Sequence, residues 1–393
     1  LKSSKHEPFL PVIILFGLLL WSAVACSSSN VPISTLVNYT PTPKESETAT
    51  STTIPPPWLT GKGIPLPPKN HLYHGVFPSG GDADVITIQA LMDYEAAVGK
   101  QAAWVYFSHF WFEGKEFPLE TALWIREAGS IPYLRLMMQS FFKSQGDEPL
   151  YTLQNIIEGQ FDPDLRAWCQ SARGFGTPVI AEYGVEVNSD SFPWSGIFNG
   201  GGETDNYGDT ALPDGPERFQ DAYRHIIQLC RQVGADNITW VFHADSWSYP
   251  NEAWNQFENY YPGDEWIDWV GFSIYGVHTP YSQYYSIFSE RMEDMHPRML
   301  QVAPEKPIII TEVGSAKNNP YLDQVEWTRD ALVTITSMRY QNLIGFTWWN
   351  EAWQNDGNPE NDTTMRVQDN PQLQTLFREM IGNNSAILGQ ISR

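Results

Sequence analysis

Apolar residues recur along this chain with two alternating spacings. Short runs of strand-like composition predict eight β-strands, over Tyr73–Phe77, Ala102–Phe107, Ile131–Met138, Val179–Val187, Ile238–His243, Trp269–Tyr275, Ile308–Val313 and Ile344–Trp349. Between most of them, apolar residues fall three and four apart, which predicts helices, most clearly over Gln89–Val98, Glu120–Ala128, Gly215–Val233 and Gln324–Arg339. Gly99, Gly129 and Gly234 stand where such helices would stop. Eight strands alternating with helices predict an α/β fold, a single (β/α)8 TIM barrel. A doubly wound open sheet is the alternative, but no G-x-G-x-x-G follows the first strand. In a barrel the strand C-terminal ends form the active site, so Glu186, His243, Tyr275, Glu312 and Trp349 are expected on one face.

The pattern breaks down before residue 69. Lys2 and Lys5 precede an uncharged apolar run from Phe9 to Ala25, which suits a secretory signal better than a membrane span. Ala23-Val24-Ala25 fits an ordinary cleavage site, and Cys26 directly after it also fits a lipoprotein box with Ala23 in place of the usual Leu. The stretch that follows is rich in Ser, Thr and Pro, as in Thr40-Pro41-Thr42-Pro43 and Ile54-Pro55-Pro56-Pro57, and reads as an extended spacer. A spacer favours the tethered form over free secretion. The expected order is a signal segment over 1–25, a linker over 26–68 and one catalytic domain over 69–393. That places the protein outside the cell membrane, on the surface or secreted, touching the membrane only through a lipid at Cys26.

Net charge is −22 and the folded part holds no basic cluster, which argues against nucleic acid as a partner. The other two cysteines, Cys169 and Cys230, lie on expected helices and read as two buried free thiols rather than a disulfide framework. No H-E-x-x-H, clustered Cys/His or Gly-rich phosphate loop occurs, so neither a metal nor a cofactor is expected. Gly-x-Ser-x-Gly is also missing, which weakens an esterase reading. Nothing in the sequence suggests more than a monomer.

The chemistry concentrates in two glutamates. Glu186 lies in Pro178-Val179-Ile180-Ala181-Glu182-Tyr183-Gly184-Val185-Glu186-Val187-Asn188, and Glu312 in Pro307-Ile308-Ile309-Ile310-Thr311-Glu312-Val313-Gly314. Two carboxyl groups brought to one barrel mouth are what cleavage of a glycosidic bond requires, one to protonate the departing oxygen and one to attack or stabilise the sugar cation. Aromatics are the second signal: sixteen Trp and eighteen Tyr exceed what the core needs, and sugar rings stack on such faces. Trp194, Trp349, Trp111 and His109 are the candidate sugar contacts, with Asn188 and His243 as polar ones. Trp348 points opposite to Trp349 on a strand and reads as structural. Tyr275 is placed to hydrogen-bond a nucleophilic carboxylate, and Glu182 and Arg135 to pair inside the barrel.

Four ordered segments carry a resemblance. Val185-Glu186-Val187-Asn188-Ser189-Asp190-Ser191-Phe192-Pro193-Trp194 is similar to the acid/base motif of glycoside hydrolase family 26, a retaining family of (β/α)8 enzymes that includes endo-β-mannanases. Tyr260–Gly271, Ile309–Ser315 and Gly345–Glu351 resemble its segments at the sixth strand, the nucleophile and the last strand. The likeness covers about residues 70–380. It implies Glu186 as acid/base, Glu312 as nucleophile, Tyr275 as the nucleophile's hydrogen-bond partner and Trp349 as a subsite aromatic. The family acts on mannan, mixed-linkage β-glucan and β-1,3-xylan. Two positions depart from the mannanase pattern: Val185 stands where His is common, and Glu182 where an Arg is expected. The expectation is therefore a retaining endo-β-glycanase with its carboxyl groups roughly 5–5.5 Å apart. The rival is a non-catalytic polysaccharide-binding surface lipoprotein on the same barrel.

Overall fold

The structure, a computed structural model, describes residues 63–391. The signal segment, Cys26 and the linker up to residue 62 lie outside the described residues. Strands and helices alternate in the order β1 (Leu72–Pro78), α1 (Ile88–Val98), β2 (Trp104–Phe110), α2 (Leu119–Glu127), β3 (Ile131–Met137), α3 (Leu153–Ile157), α4 (Asp162–Phe175), β4 (Val179–Tyr183), α5 (Asp214–Gln232) and β5 (Ile238–Asp245). They continue with β6 (Trp269–Tyr275), α6 (Phe288–Val302), β7 (Ile308–Gly314), α7 (Gln324–Thr336), β8 (Leu343–Asn350), the short strands β9 (Ala352–Trp353) and β10 (Thr363–Thr364), α8 (Pro371–Phe377) and β11 (Ile387–Leu388). Strands β1 to β8 pair in sequence order and in parallel, and β1 also pairs with β8, so the sheet closes into the expected barrel. β11 adds a short parallel pairing to the start of β1.

The helices follow local rules. Thr87 caps α1 by accepting from the Ala90 N–H, and Gly99 ends it in the left-handed conformation. Asp323 caps α7 by accepting from Val325 and Glu326. That helix ends at Thr336 rather than at the expected Arg339, because Met338 turns to positive φ.

Trp104 is central to the packing at the barrel floor, with the rings of Tyr73 and Trp269 each 6.1 Å away. Trp104 is fully buried and donates from Nε1 to Thr347 Oγ1 at 2.8 Å. A Cβ on Gly75 would lie 1.9 Å from its ring, and one on Gly345 2.5 Å, so both glycines are there to make room. Above the floor the inward positions turn polar.

Cys169 of α4 and Cys230 of α5 are joined in a disulfide with their Cα atoms 5.0 Å apart, which corrects the reading of two free thiols. Both cysteines lie on the buried faces of adjacent helices, a proximity that 61 residues of sequence separation conceal.

Candidate active site

Glu312 owes its position to an irregularity in β7. Ile309 and Ile310 pair with Gly271 and Phe272 of β6, but the next partner of Ser273 is Glu312, so Thr311 is an extra residue. Regular alternation would set Glu312 opposite Ile274, on the helix side. The bulge moves it opposite Ser273, onto the inner face. There it is nearly buried and surrounded by donors. Tyr275 Oη donates to Oε2 at 2.6 Å, while Arg135 Nη1 and Tyr106 Oη lie 3.3 and 3.2 Å from Oε1. Arg135 reaches on to Asp84 Oδ2 at 3.2 Å and to Ser108 Oγ. Its expected pairing with Glu182 is thus replaced by an Asp84–Arg135–Glu312 bridge.

Glu186 is presented differently. β4 ends at Tyr183, four residues before the expected end, because Gly184 turns to φ 82° and Glu186 itself to φ 49°. Positive φ is uncommon for a residue with a Cβ and costs of order 1–3 kcal/mol. The turn is tied down by Ser189 N–H to the Glu186 carbonyl at 2.8 Å and by Trp194 Nε1 to the Val185 carbonyl at 2.8 Å. Burial raises the Glu186 carboxyl well above the ordinary value, and the negative charges of Asp245 and Glu312 add to the effect. Asp245, at the end of β5, is itself pushed up to about 6, chiefly by burial. Burial and the charges of Asp245 and Glu312 thus all favour the protonated form of Glu186.

Trp349 closes the other side. It is partly buried, stacks on Phe77 with centroids 4.0 Å apart, has the Arg135 guanidinium 4.8 Å away, and lies edge-on to Tyr275. Trp348 points out to the helices, where Nε1 donates to the Met365 carbonyl, as pleating predicts.

Five of the expected sugar contacts sit elsewhere. Trp194 is 1 % exposed and stacked against Phe192, and Trp111 is 2 % exposed among Tyr151 and Phe161, so neither offers a free ring face. Asn188 is buried and spends its amide on the Asp245 and Trp247 carbonyls and Ser248 Oγ, fastening the loop after β4 to the loop after β5. His243 is wholly buried between Glu182 and Ser273. His109 is buried beside Trp168, whose Nε1 donates to it at 3.3 Å, and forms part of the wall of a cavity of about 240 Å³ with Asp84, Ser108 and Glu113.

Residues that the sequence did not single out supply the difference. Asp84, Ser108, Tyr106, Tyr133 and Ser273 build the polar interior, and Trp247 offers an exposed indole. Trp247 is 53 % exposed, donates from Nε1 to Ser286 Oγ, and has the Arg291 guanidinium 4.1 Å from its ring centre. Its place two residues after Asp245 at a strand end was the available signal. Among the described residues, Glu203, Asp205 and Asp214 bring carboxylate oxygens within 4.8 Å of one another. The Asn206 amide already donates to the first two, and the group joins the loop before α5 to the first residue of that helix.

Residues 179–327, from β4 into α7, match the sequence profile of glycosyl hydrolase family 26. That stretch is similar to the members of that family. The matched family 26 segment contains Glu186, Tyr275 and Glu312. Endoglucanase H of Acetivibrio thermocellus is 25 % identical over 238 residues, 60 % of this chain and 24 % of that protein. Beta-1,3-xylanase TXYA of a Vibrio species is 28 % identical over 124 residues, 31 % of this chain and 22 % of that protein. The chain spans about a quarter of the length of these curated relatives. Among solved structures, a Cellulomonas fimi endo-beta-1,4-mannanase double mutant superposes with a TM-score of 0.59 at 17 % identity, covering 83 % of this chain and 75 % of that one. The family 26 beta-mannanase BoMan26A of Bacteroides ovatus gives 0.54 at 16 % identity, covering 81 % and 90 %. These structural likenesses carry the barrel fold.

Proposed function

We propose that this chain is an exported, retaining endo-β-glycanase, with mixed-linkage β-glucan ahead of β-mannan as its polymer and β-1,3-xylan third. The observation that carries the reading is the pair of glutamates in opposite surroundings, Glu312 among donors and Glu186 among carboxylates and buried. Glu186, holding its proton, gives it to the departing glycosidic oxygen while a Glu312 oxygen attacks the anomeric carbon. The Glu312–sugar ester then breaks as water attacks, Glu186 taking the water's proton, and the anomeric configuration is retained. Tyr275 steers the nucleophile, Trp349 receives the sugar at the point of cleavage, and Trp247 stacks on a ring further along. β-Glucan stands first for two reasons. The endoglucanase match runs over the longer stretch of chain, and Val185 and Glu182 replace the His and Arg common in mannanases. Export is supported by the apolar leader and by the Cys169–Cys230 disulfide, a bond suited to an oxidising compartment.

The test is reducing-sugar release from barley-type β-glucan, mannan, β-1,3-xylan and cellulose by the wild type and by Glu312→Ala. Release from β-glucan that vanishes in the variant is the expected result, and release from mannan alone moves the substrate. No release from any polymer, with affinity electrophoresis still showing retardation, overturns hydrolysis in favour of a binding protein.

A further inference from the structure

The aromatic rings that reach water are unevenly spread over this molecule. Among the described residues, every exposed tyrosine and the exposed tryptophan stand on the connections that follow β5, β6 and β7. They are Trp247 and Tyr249, then Tyr281, Tyr284 and Tyr285, then Tyr321. Each is more than half exposed, Tyr284 at 91 %. The exposed aromatics on the connections after β2, β3 and β4 are all phenylalanines. One sector of the barrel mouth thus carries the rings that combine an apolar face with a hydrogen-bonding edge.

These three connections are tied to one another. The buried Asn319 donates from Nδ2 to the carbonyls of Thr279, Pro280 and Ser282 at 3.3, 3.2 and 2.8 Å, while its Oδ1 accepts from the Tyr321 and Leu322 N–H groups. Trp247 Nε1 donates to Ser286 Oγ at 2.9 Å, and Trp327 Nε1 to the Ser286 carbonyl at 2.8 Å. The same connections lead back to both glutamates. The Tyr249 N–H donates at 2.9 Å to the carbonyl of Asn188, two residues past Glu186. The connection after β6 starts directly after Tyr275, whose hydroxyl meets Glu312.

Charge narrows what these rings can hold. The connection after β6, residues 276–287, contains no Asp, Glu, Lys or Arg, in a chain with 46 acidic and 24 basic residues. A cluster of exposed ring faces on tied-down backbone marks a binding surface more often than a bare one. This one offers faces for stacking and hydroxyls for hydrogen bonds, with nothing to attract an ionic ligand. Sugar rings present the complement: apolar C–H faces edged with hydroxyls, and no charge. We propose that the connections after β5, β6 and β7 form a stacking platform for a neutral polysaccharide chain, extending the groove of the two glutamates outward from Tyr275. The inference rests on the glycanase reading and adds a holding surface to it. The tyrosines of the platform grip the polymer away from the bond that is cut and take no part in the chemistry.

The experiment is affinity electrophoresis through gels of β-glucan, mannan and β-1,3-xylan, run on Glu312→Ala so that no polymer is consumed. The same protein carrying Tyr281→Ala, Tyr284→Ala and Tyr285→Ala together is run beside it. For whichever polymer retards the parent, the Kd should rise about tenfold in the alanine set. Phenylalanine at the same three positions keeps the ring faces and should hold the Kd within about twofold of the parent. All three proteins should melt at the same temperature, because the replaced side chains are exposed. An unchanged Kd in the alanine set, or an equal loss in both sets, overturns the platform. So does a parent that none of the polymers retards. Sedimentation equilibrium covers the remaining occupant: a dimer that dissociates in the alanine set would assign the rings to a second copy of this chain and overturn the proposal. Hydrolysis by the wild type is read separately. Its absence beside ring-dependent retardation overturns the glycanase reading and leaves the platform, whereas hydrolysis with ring-independent retardation overturns the platform alone.

Discussion

Glu312 lies within its strand, whereas Glu186 sits three residues beyond the end of its own. The first is turned inward by an extra residue in the sheet, the second by a glycine turn and a left-handed backbone of its own. Their neighbours differ as much as their backbones. Glu312 meets a tyrosine hydroxyl on one oxygen and an arginine and a second tyrosine on the other. Glu186 meets burial, Asp245 and Glu312. In the proposed mechanism, identical side chains serve as nucleophile and acid because the barrel gives one of them donors and the other carboxylates.

The largest expected effect separates these roles. Replacing either glutamate by Ala should reduce polymer hydrolysis by about 10³-fold or more. Azide should then tell them apart on an aryl β-glycoside with a good leaving group. In Glu186→Ala the nucleophile is intact, the glycosyl-enzyme forms, and azide releases a β-glycosyl azide with restored turnover. In Glu312→Ala azide must attack directly, giving the α-glycosyl azide. Proton NMR of the products checks the assignment, and the same anomer from both variants would sink it.

The supports can be broken separately. Arg135→Met leaves Asp84 and Glu312 buried without their shared cation, and losing one member of such a buried bridge costs about 3–5 kcal/mol. Gly184→Ala puts a Cβ 2.1 Å from the Phe219 ring at a position of φ 82°, a conformational strain of about 1–3 kcal/mol before any repacking. Urea unfolding should rank the two in that order. The azide assay should show that Gly184→Ala impairs the acid step on polymers more than turnover of activated aryl glycosides. Equal losses on both substrates would mean that the turn at Gly184 supports the barrel and not Glu186 in particular.

Much of this architecture was legible beforehand, for identifiable reasons. A β7 strand wholly apolar over Ile308-Ile309-Ile310 and then polar at Thr311-Glu312 announces where it leaves the core, and each of the eight barrel strands overlaps a strand-like run in the sequence. Nothing in that run reveals the bulge, because a register shift depends on the neighbouring strand. β4 was drawn too long because Val185 and Val187 continue the apolar pattern while the backbone between them turns back on itself. Trp194 and Trp111 misled for a related cause. A ring's type says that it can stack on a sugar, but the loop decides whether its face is exposed, and here both are packed against other aromatics. The polar interior was harder still. Tyr106, Tyr133, Glu182 and His243 come from four strands, and only closure of the barrel makes them one network.

The smallest effect is a slope, and it bears most directly on why two glutamates behave differently. Glu186 has its folded-state value raised above the ~4.3 expected in the unfolded chain, so the native protein holds this proton more tightly. Its contribution to stability is therefore complete below about pH 4.3 and is lost as pH rises through the folded-state value, at about 1.4 kcal/mol per unit between the two. Glu186→Gln keeps the shape and discards the proton. Its stability relative to the wild type should be lowest in acid and climb with pH until Glu186 is fully ionised. Glu312→Gln should lower stability near neutral pH, because an amide keeps one accepting oxygen where the carboxylate has two, so either Tyr275 or Arg135 loses its acceptor. Melting temperatures of the three proteins across a pH series settle the matter. Parallel lines for Glu186→Gln and wild type would show that the carboxyl is solvated in both states, and the contrast between the two glutamates would then have to come from the substrate.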